Sequence, residues 1–219
     1  MLIVHHLEHS RSFRILWLLE ELGTPYDIVE YQRDPKTMLA PPTLRRIHPL
    51  GKAPVIQDGD RTVAETGAIV EYLLDAVPDH SLRPALGSPA FESFRYWLHY
   101  AEASAMPPML LKLVLDRIDE KTPFIVRPIA ATMTGLVKST FLNEQIALHS
   151  DHMEAHADPW FLGDQFSAVD VVMSFPVQAF FARGGLRPDT HPKLHRYLRA
   201  CEGRDAFQRA LERGGPLRL

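Results

Sequence analysis

The apolar positions change rhythm along the chain. Near the start, Leu2–Val4 form a short apolar run that reads as a strand. Ile15, Leu18, Leu19 and Leu22 then share one stripe of a helix over about residues 12–22, and Gly23 supplies its stop. Phe13 and Trp17 point the opposite way. A helix apolar on two faces must be covered on both, so this one is expected between a sheet and a second body. The stretch "YDIVEYQ", residues 26–32, reads as the next strand. With the helix between, the two strands should run parallel in a right-handed crossover.

Val55–Gln57 and Thr62–Ala64 are two further short strands, separated by Asp58-Gly59-Asp60, which has hairpin chemistry. The helix after them places Ala68, Ile69, Tyr72, Leu73 and Ala76 on one face. Past the Pro- and Gly-bearing stretch "VPDHSLRPALGSPA", strand-like patterns end. The chain therefore divides into an α/β part over 1–77, a linker over 78–87 and an all-helical part over 88–219. Ser88-Pro89 is a helix start, and Thr122-Pro123 repeats the device. Ser167 with Asp170 makes a capping box, and Pro176 inside that helix should bend it. Two shorter amphipathic segments, "KLHRYLRACE" and "AFQRALERG", finish the helical part.

Composition narrows the picture. The 219 residues are 46% hydrophobic and 23% charged, enough for a sizeable core and too apolar for disorder. A formal charge of −3, with Arg45-Arg46 unsupported by other basic residues, argues against nucleic acid as partner. No apolar run approaches the roughly 20 residues of a membrane span, and the N-terminus lacks a secretory pattern. The expected location is the cytoplasm. Cys201 is the single cysteine, which excludes an intrachain disulfide, a cysteine-pair redox motif and a cysteine zinc site.

Three stretches carry candidate chemistry. His9, Ser10, Arg11 and Ser12 stand where strand hands over to helix, a place that suits an anion or an activated nucleophile as well as a plain helix cap. In "GKAPV", a cis Pro54 would free the backbone of Val55 to pair with an extended peptide; the plain alternative is a strand-entry proline. In "AETGAIVEYL", Glu65 and Thr66 open a helix whose free N–H groups, with the Glu65 carboxylate beside them, suit an amino-acid end bearing both charges. His149, His152 and His156 share a helical stripe with zinc-compatible spacing, but they flank a core face, and no metal is expected there. His5-His6 is weak as a metal pair because neighbouring strand residues face opposite sides. There is no glycine-rich phosphate loop, nucleophile elbow or His-Glu-x-x-His.

Together, "HSRSFRILWLLEEL", "HPLGKAPVI", "AETGAIVEYL", "WLHYAEASAMP" and "FSAVDVVMSFP", in this order, resemble the cytosolic glutathione transferases, particularly the serine-type bacterial and fungal branch. The resemblance implies a thioredoxin-like N-terminal domain that binds glutathione and an all-helical C-terminal domain. It implies Ser10 as the catalytic hydroxyl, with His9 and Ser12 as alternatives because branches differ by one residue in this spacing. Glutathione, a co-substrate with no separate cofactor or metal, would be held by Lys52, Ala53, Pro54, Val55, Glu65 and Thr66, with His48 nearby. An electrophile would sit between the domains near Ser12, Tyr100 and Met106. The implied activity is conjugation of the glutathione thiolate to small electrophiles, or reduction of a peroxide with it, in a detoxifying homodimer. The alternative is a non-catalytic binding or regulatory protein on the same fold, because fold alone does not establish activity.

Overall fold

A computed structural model describes residues 1–78 and 80–217. Four strands, β1 (Leu2–Leu7), β2 (Tyr26–Tyr31), β3 (Val55–Asp58) and β4 (Arg61–Ala64), form one sheet in the order β2-β1-β3-β4. β1 and β2 are parallel, joined through α1 (Phe13–Leu22), as the crossover pattern requires. β3 runs antiparallel to both β1 and β4, and Gly59 turns the β3–β4 hairpin at a φ of 57°. α2 (Thr66–Ala76) follows the hairpin.

β1 extends three residues beyond the apolar run, taking in His5 and His6. Both imidazoles are buried and satisfied, so polar side chains are accommodated inside the sheet. His5 bonds Tyr31 Oη through Nδ1 and Gln57 Oε1 through Nε2, each at 2.9 Å.

The helical part comprises α3 (Pro89–Tyr100), α4 (Met106–Lys121), α5 (Arg127–Val137), α6 (Asn143–His156), α7 (Ala168–Arg183), α8 (Pro192–Glu202) and α9 (Asp205–Gly214). Wide π-type turns at Ala101–Ala105 and Lys138–Leu142 join α3 to α4 and α5 to α6. Ser88 caps α3 as its sequence implies, accepting from Phe91 N. Thr122-Pro123 does not cap α5. That helix begins at Arg127 with Val126 in the cap position, and Pro128 rather than Pro123 occupies its first turn.

α7 is the hub, buried on every face from Ala168 to Val177, with Pro176 inside it and the helix running on to Arg183. Its start is the expected capping box, enclosed in protein. Asp170 accepts from Ser167 N at 2.8 Å and from Phe161 N at 2.9 Å, while Ser167 Oγ accepts from Val169 N. α1 is covered on both faces. Ile15, Leu16, Trp17, Leu18 and Leu19 are all fully buried, and Phe207 of α9 meets Phe13 and Trp17 edge-on at 5.1 and 5.0 Å. α7 also packs against α1.

Candidate functional site at the start of the first helix

The β1–α1 connection brings His9, Ser10, Arg11 and Ser12 to the N-terminal end of α1, where the helix dipole favours negative charge, although the N–H groups of Phe13, Arg14 and Ile15 are already taken by the carbonyls of Ser10, Arg11 and Ser12. Ser12 is no helix cap, since its side chain makes no capping bond. Its Oγ turns back to β1, accepting from Leu7 N at 3.2 Å and lying 2.9 Å from His6 Nδ1 and 3.3 Å from the Leu7 carbonyl. Ser10 Oγ lies 2.7 Å from Ser12 Oγ and accepts from Ser12 N at 3.2 Å. Ser10 keeps 6% of its surface in contact with solvent and Ser12 none. Of the two serines, only Ser10 has any surface open to solvent. His9 takes a left-handed backbone, φ 50°, and its Nδ1 engages the Pro216 carbonyl at 3.0 Å. Its ring is committed to the C-terminal segment.

A second helix start lies beside the first. Arg14, the second residue of α1 and 1% exposed, donates to Thr66 Oγ1 at 3.0 Å, to Glu102 Oε1 at 2.5 Å and to the Val172 carbonyl at 2.9 Å. Thr66 opens α2, so one guanidinium ties the starts of α1 and α2 to the helical part. Glu102 also pairs with Arg11 at 3.0 Å. Burial pushes the Glu102 carboxyl up, but Arg14 and Arg11 outweigh it and the net shift is downward, keeping the group ionised. Burial likewise pulls the Arg14 guanidinium down, against Glu102. The Phe175 ring lies under both cations, 5.1 Å from Arg14 and 5.8 Å from Arg11.

Glu65 is exposed and held at φ 74°, a region that residues with a Cβ seldom adopt. The Ala53–Pro54 bond is cis, with Pro54 buried at the mouth of β3. Val55 does not offer a free main chain. It stands in register with His5 on one side and Ala64 on the other, so its N–H and C=O meet a strand whichever way they point. Ala53, half-buried and ahead of the strand, is the last residue on this stretch outside the ladder. Lys52 is exposed and, among the described residues, forms no ion pair; His48 is half-buried near it in sequence.

The three residues expected to line an electrophile pocket are not open to one. Ser12 is sealed behind Ser10, Met106 is 7% exposed within the core, and the buried Tyr100 turns its hydroxyl to His149 Nδ1 at 2.7 Å. The histidine stripe of α6 is an aromatic clasp on α3: Tyr96 Oη bonds His152 Nε2 at 2.9 Å, and Trp97 stacks on the His152 ring. Among the described residues no group of three His, Cys, Asp or Glu stands close enough to share a metal ion. Cys201 is wholly buried, and burial pushes its thiol up. Sequence reasoning missed Glu102, whose partners lie 88 and 91 residues away, and it missed His6 as a neighbour of Ser12.

A parallel β-α-β unit, a β-hairpin with a cis-proline at its mouth and a closing helix form the thioredoxin-like arrangement. Joined to an all-helical part across a hydroxyl-bearing helix start, it defines the two-part transferases that work on a thiol co-substrate. Residues 1–75 match the family "Glutathione S-transferase, N-terminal domain", and residues 131–200 match "Glutathione S-transferase, C-terminal domain". Glutathione S-transferase 3 of Schizosaccharomyces pombe is 35% identical over 97% of this chain and 88% of its own length. Glutathione S-transferase 1 of Saccharomyces cerevisiae is 29% identical over 98% and 95%. The crystal structure of a glutathione S-transferase from Actinobacillus pleuropneumoniae superposes with a TM-score of 0.80 at 32% identity, covering 99% of this chain and 94% of that one. The chain belongs to the glutathione S-transferase family and is a transferase enzyme. Among the described residues no helix is long and apolar enough to cross a membrane.

Proposed function

We propose that the protein conjugates the thiolate of glutathione to small electrophiles, with Ser10 as the hydroxyl that faces sulfur, as in the serine-type branch. The observation that carries this reading is the Arg14–Thr66 hydrogen bond of 3.0 Å, which sets the starts of α1 and α2 side by side. One start suits a thiolate and the other a carboxylate, the two anionic points of a γ-glutamyl-cysteinyl peptide. Glu65 receives the ammonium, Thr66 the γ-glutamyl carboxylate, and Lys52 with His48 the glycine carboxylate. The extended main chain at Ala53 and cis Pro54 lies along the cysteine. A homologue from Sulfitobacter, similar to this chain over 98% of both at a TM-score of 0.75, was solved with bound glutathione. In this reading residues 1–77 hold glutathione and residues 88–219 supply the electrophile side, where Arg11 and Phe175 line the approach.

A homodimer belongs to the proposal. Leu110, Val114 and Ile118 on α4 and Ile129, Met133 and Leu136 on α5 form two apolar stripes, each residue 43–66% exposed. Sedimentation at single-chain mass would argue against pairing. A buried lone cysteine and reliance on reduced glutathione fit the cytoplasm and a detoxifying role.

The function is tested by retention on immobilised glutathione together with conjugation of a generic aromatic chloride. Retention without turnover would instead favour a binding or regulatory protein on this fold. At the recognition end, Glu65→Ala is expected to raise the glutathione concentration needed for half-maximal rate more than it lowers the maximal rate. The carboxylate binds the ammonium equally in ground and transition states, so its loss acts on binding. An unchanged glutathione dependence would reduce Glu65 to a carboxylate at a helix start.

A further inference from the structure

Behind Ser10 the hydrogen bonds continue inward. Ser10 Oγ lies 2.7 Å from Ser12 Oγ, which lies 2.9 Å from His6 Nδ1, and His6 Nε2 lies 2.9 Å from the carbonyl of Gly214 at the end of α9. A carbonyl only accepts, so Nε2 carries the hydrogen and Nδ1 of the neutral ring is bare. Ser12 then donates to Nδ1, the nearer of its two acceptors, and Ser10 donates to Ser12. All three side chains are buried, with His6 4% exposed. Gly214 serves this chain closely. A Cβ there would come within 2.3 Å of Leu16 Cδ1 and 3.4 Å of His6 Nε2, so a side chain at residue 214 would have to displace the end of Leu16 beside the His6 ring.

In this resting arrangement the Ser10 proton is committed to Ser12, and of its oxygen's two lone pairs one accepts from Ser12 N and the other is left for the substrate side. We infer that His6 is a positioning residue for thiol activation, taking up a proton through Ser12 and Ser10 when glutathione ionises. The inference rests on the reading of Ser10 as the hydroxyl that meets sulfur. The S–H bond breaks, its electron pair stays on sulfur, and its proton goes to Ser10 Oγ. Ser10's own proton passes to Ser12 Oγ, and Ser12's passes to His6 Nδ1. The result is a thiolate, an imidazolium whose Nε2–H is held by Gly214, and a Ser10 hydroxyl that now donates to sulfur. One shift along the chain both removes the thiol proton and turns Ser10 into the thiolate's donor. When the thiolate has displaced chloride from an aromatic chloride, the His6 proton returns along the same path to solvent.

The charges around His6 fit this role. Glu30 stands opposite it on β2, with Glu8 two residues on, and both favour the imidazolium; His9 opposes it. Burial, the largest influence, keeps the ring neutral until a counter-charge arrives. On α9 the neighbouring Arg213 is engaged by Glu20 and the Tyr26 carbonyl, and Leu16 of α1 brings no charge.

Nitrogen NMR of the histidine-labelled wild-type protein at neutral pH reads the step directly. Saturating glutathione is expected to protonate His6 Nδ1, and S-methylglutathione, which has no thiol proton, to leave it bare. Nδ1 that stays bare while bound glutathione shows thiolate absorbance overturns the inference. His6→Gln is expected to raise the apparent thiol pKa of bound glutathione by about one unit, a roughly tenfold smaller thiolate fraction at neutral pH. The pH–rate profile should move upward with it and S-methylglutathione binding should hold. Ser12→Ala, which cuts the same chain, should show the same shift, and a wild-type titration curve in either variant counts against the relay. Wild-type protein that binds neither glutathione nor S-methylglutathione removes the Ser10 reading and the relay with it.

Discussion

Replacing Ser10 with alanine is expected to lower the conjugation rate at neutral pH by about ten- to a hundredfold, because a hydrogen bond to a charged group is worth roughly 1.5–3 kcal/mol. A free thiol with a pKa of about 8.5 is only a few per cent ionised at neutral pH, so an enzyme of this kind must favour the thiolate. A single donor at a helix N-terminus does so without adding a competing nucleophile. Ser10 is placed for this, and of the two serines at the junction it alone has any surface open to solvent. Binding of S-methylglutathione should barely change in Ser10→Ala, since no thiolate is involved. The same variant also loses the local Ser12 N–Ser10 Oγ link, worth about 1 kcal/mol of stability. That loss moves the unfolding midpoint and leaves the chemistry intact, so the two effects separate. The decisive measurement is the thiolate absorbance of bound glutathione against pH. A Ser10→Ala curve that overlays wild type would mean the donor lies elsewhere.

The largest stability effect is expected at Asp170. Its carboxylate accepts from Phe161 N, Ser167 N and Ser167 Oγ at the start of the fully enclosed α7. Asp170→Ala leaves these donors without an acceptor in a site water does not reach, at a cost of about 4 kcal/mol in urea unfolding. Burial, opposed by those hydrogen bonds, pushes the Asp170 carboxyl up to about 6 from its ordinary 3.8. Between about pH 4 and 6 the folded chain therefore keeps a proton that the unfolded chain has released. Stability should fall as pH rises through this window, by at most about 3 kcal/mol, with the full benefit present only below it. Asp170→Ala should lack that slope. Parallel wild-type and variant pH profiles would show that the carboxyl does not titrate there.

The parts of this architecture that are legible in sequence depend on short-range rules. The two apolar faces of α1 predict its cover on both sides. Ser167 and Asp170, three residues apart, predict the cap of α7, and Gly23 and Gly59 mark a helix stop and a turn through their positive φ. Where two short-range signals look alike, reading fails: Thr122-Pro123 has the same form as Ser88-Pro89, yet only Ser88 starts a helix. The site divides in the same way. Ser10, Pro54, Glu65 and Thr66 sit in local motifs and can be named. Glu102 reaches Arg11 and Arg14 only through tertiary packing, which no periodicity encodes. His6 was hidden by strand alternation, which rightly discourages pairing it with His5. Alternation says nothing about a serine that folds back from the next turn. Tyr100 and Met106 lie in a motif of the right neighbourhood, but their side chains take the core side of the helix.

The aromatic outer face of α1 also sets a schedule. α1 is made well before α7, which packs against it, and before α9, whose Phe207 covers Phe13 and Trp17. Translation at about 5–20 residues per second puts roughly 5 to 20 seconds between the end of α2 and the first residue of α7. For that interval the N-terminal part is a sheet with an uncapped apolar helix on its surface. A chain lacking α9 leaves Phe13 and Trp17 without their Phe207 cover, an exposed aromatic face of the kind that favours aggregation.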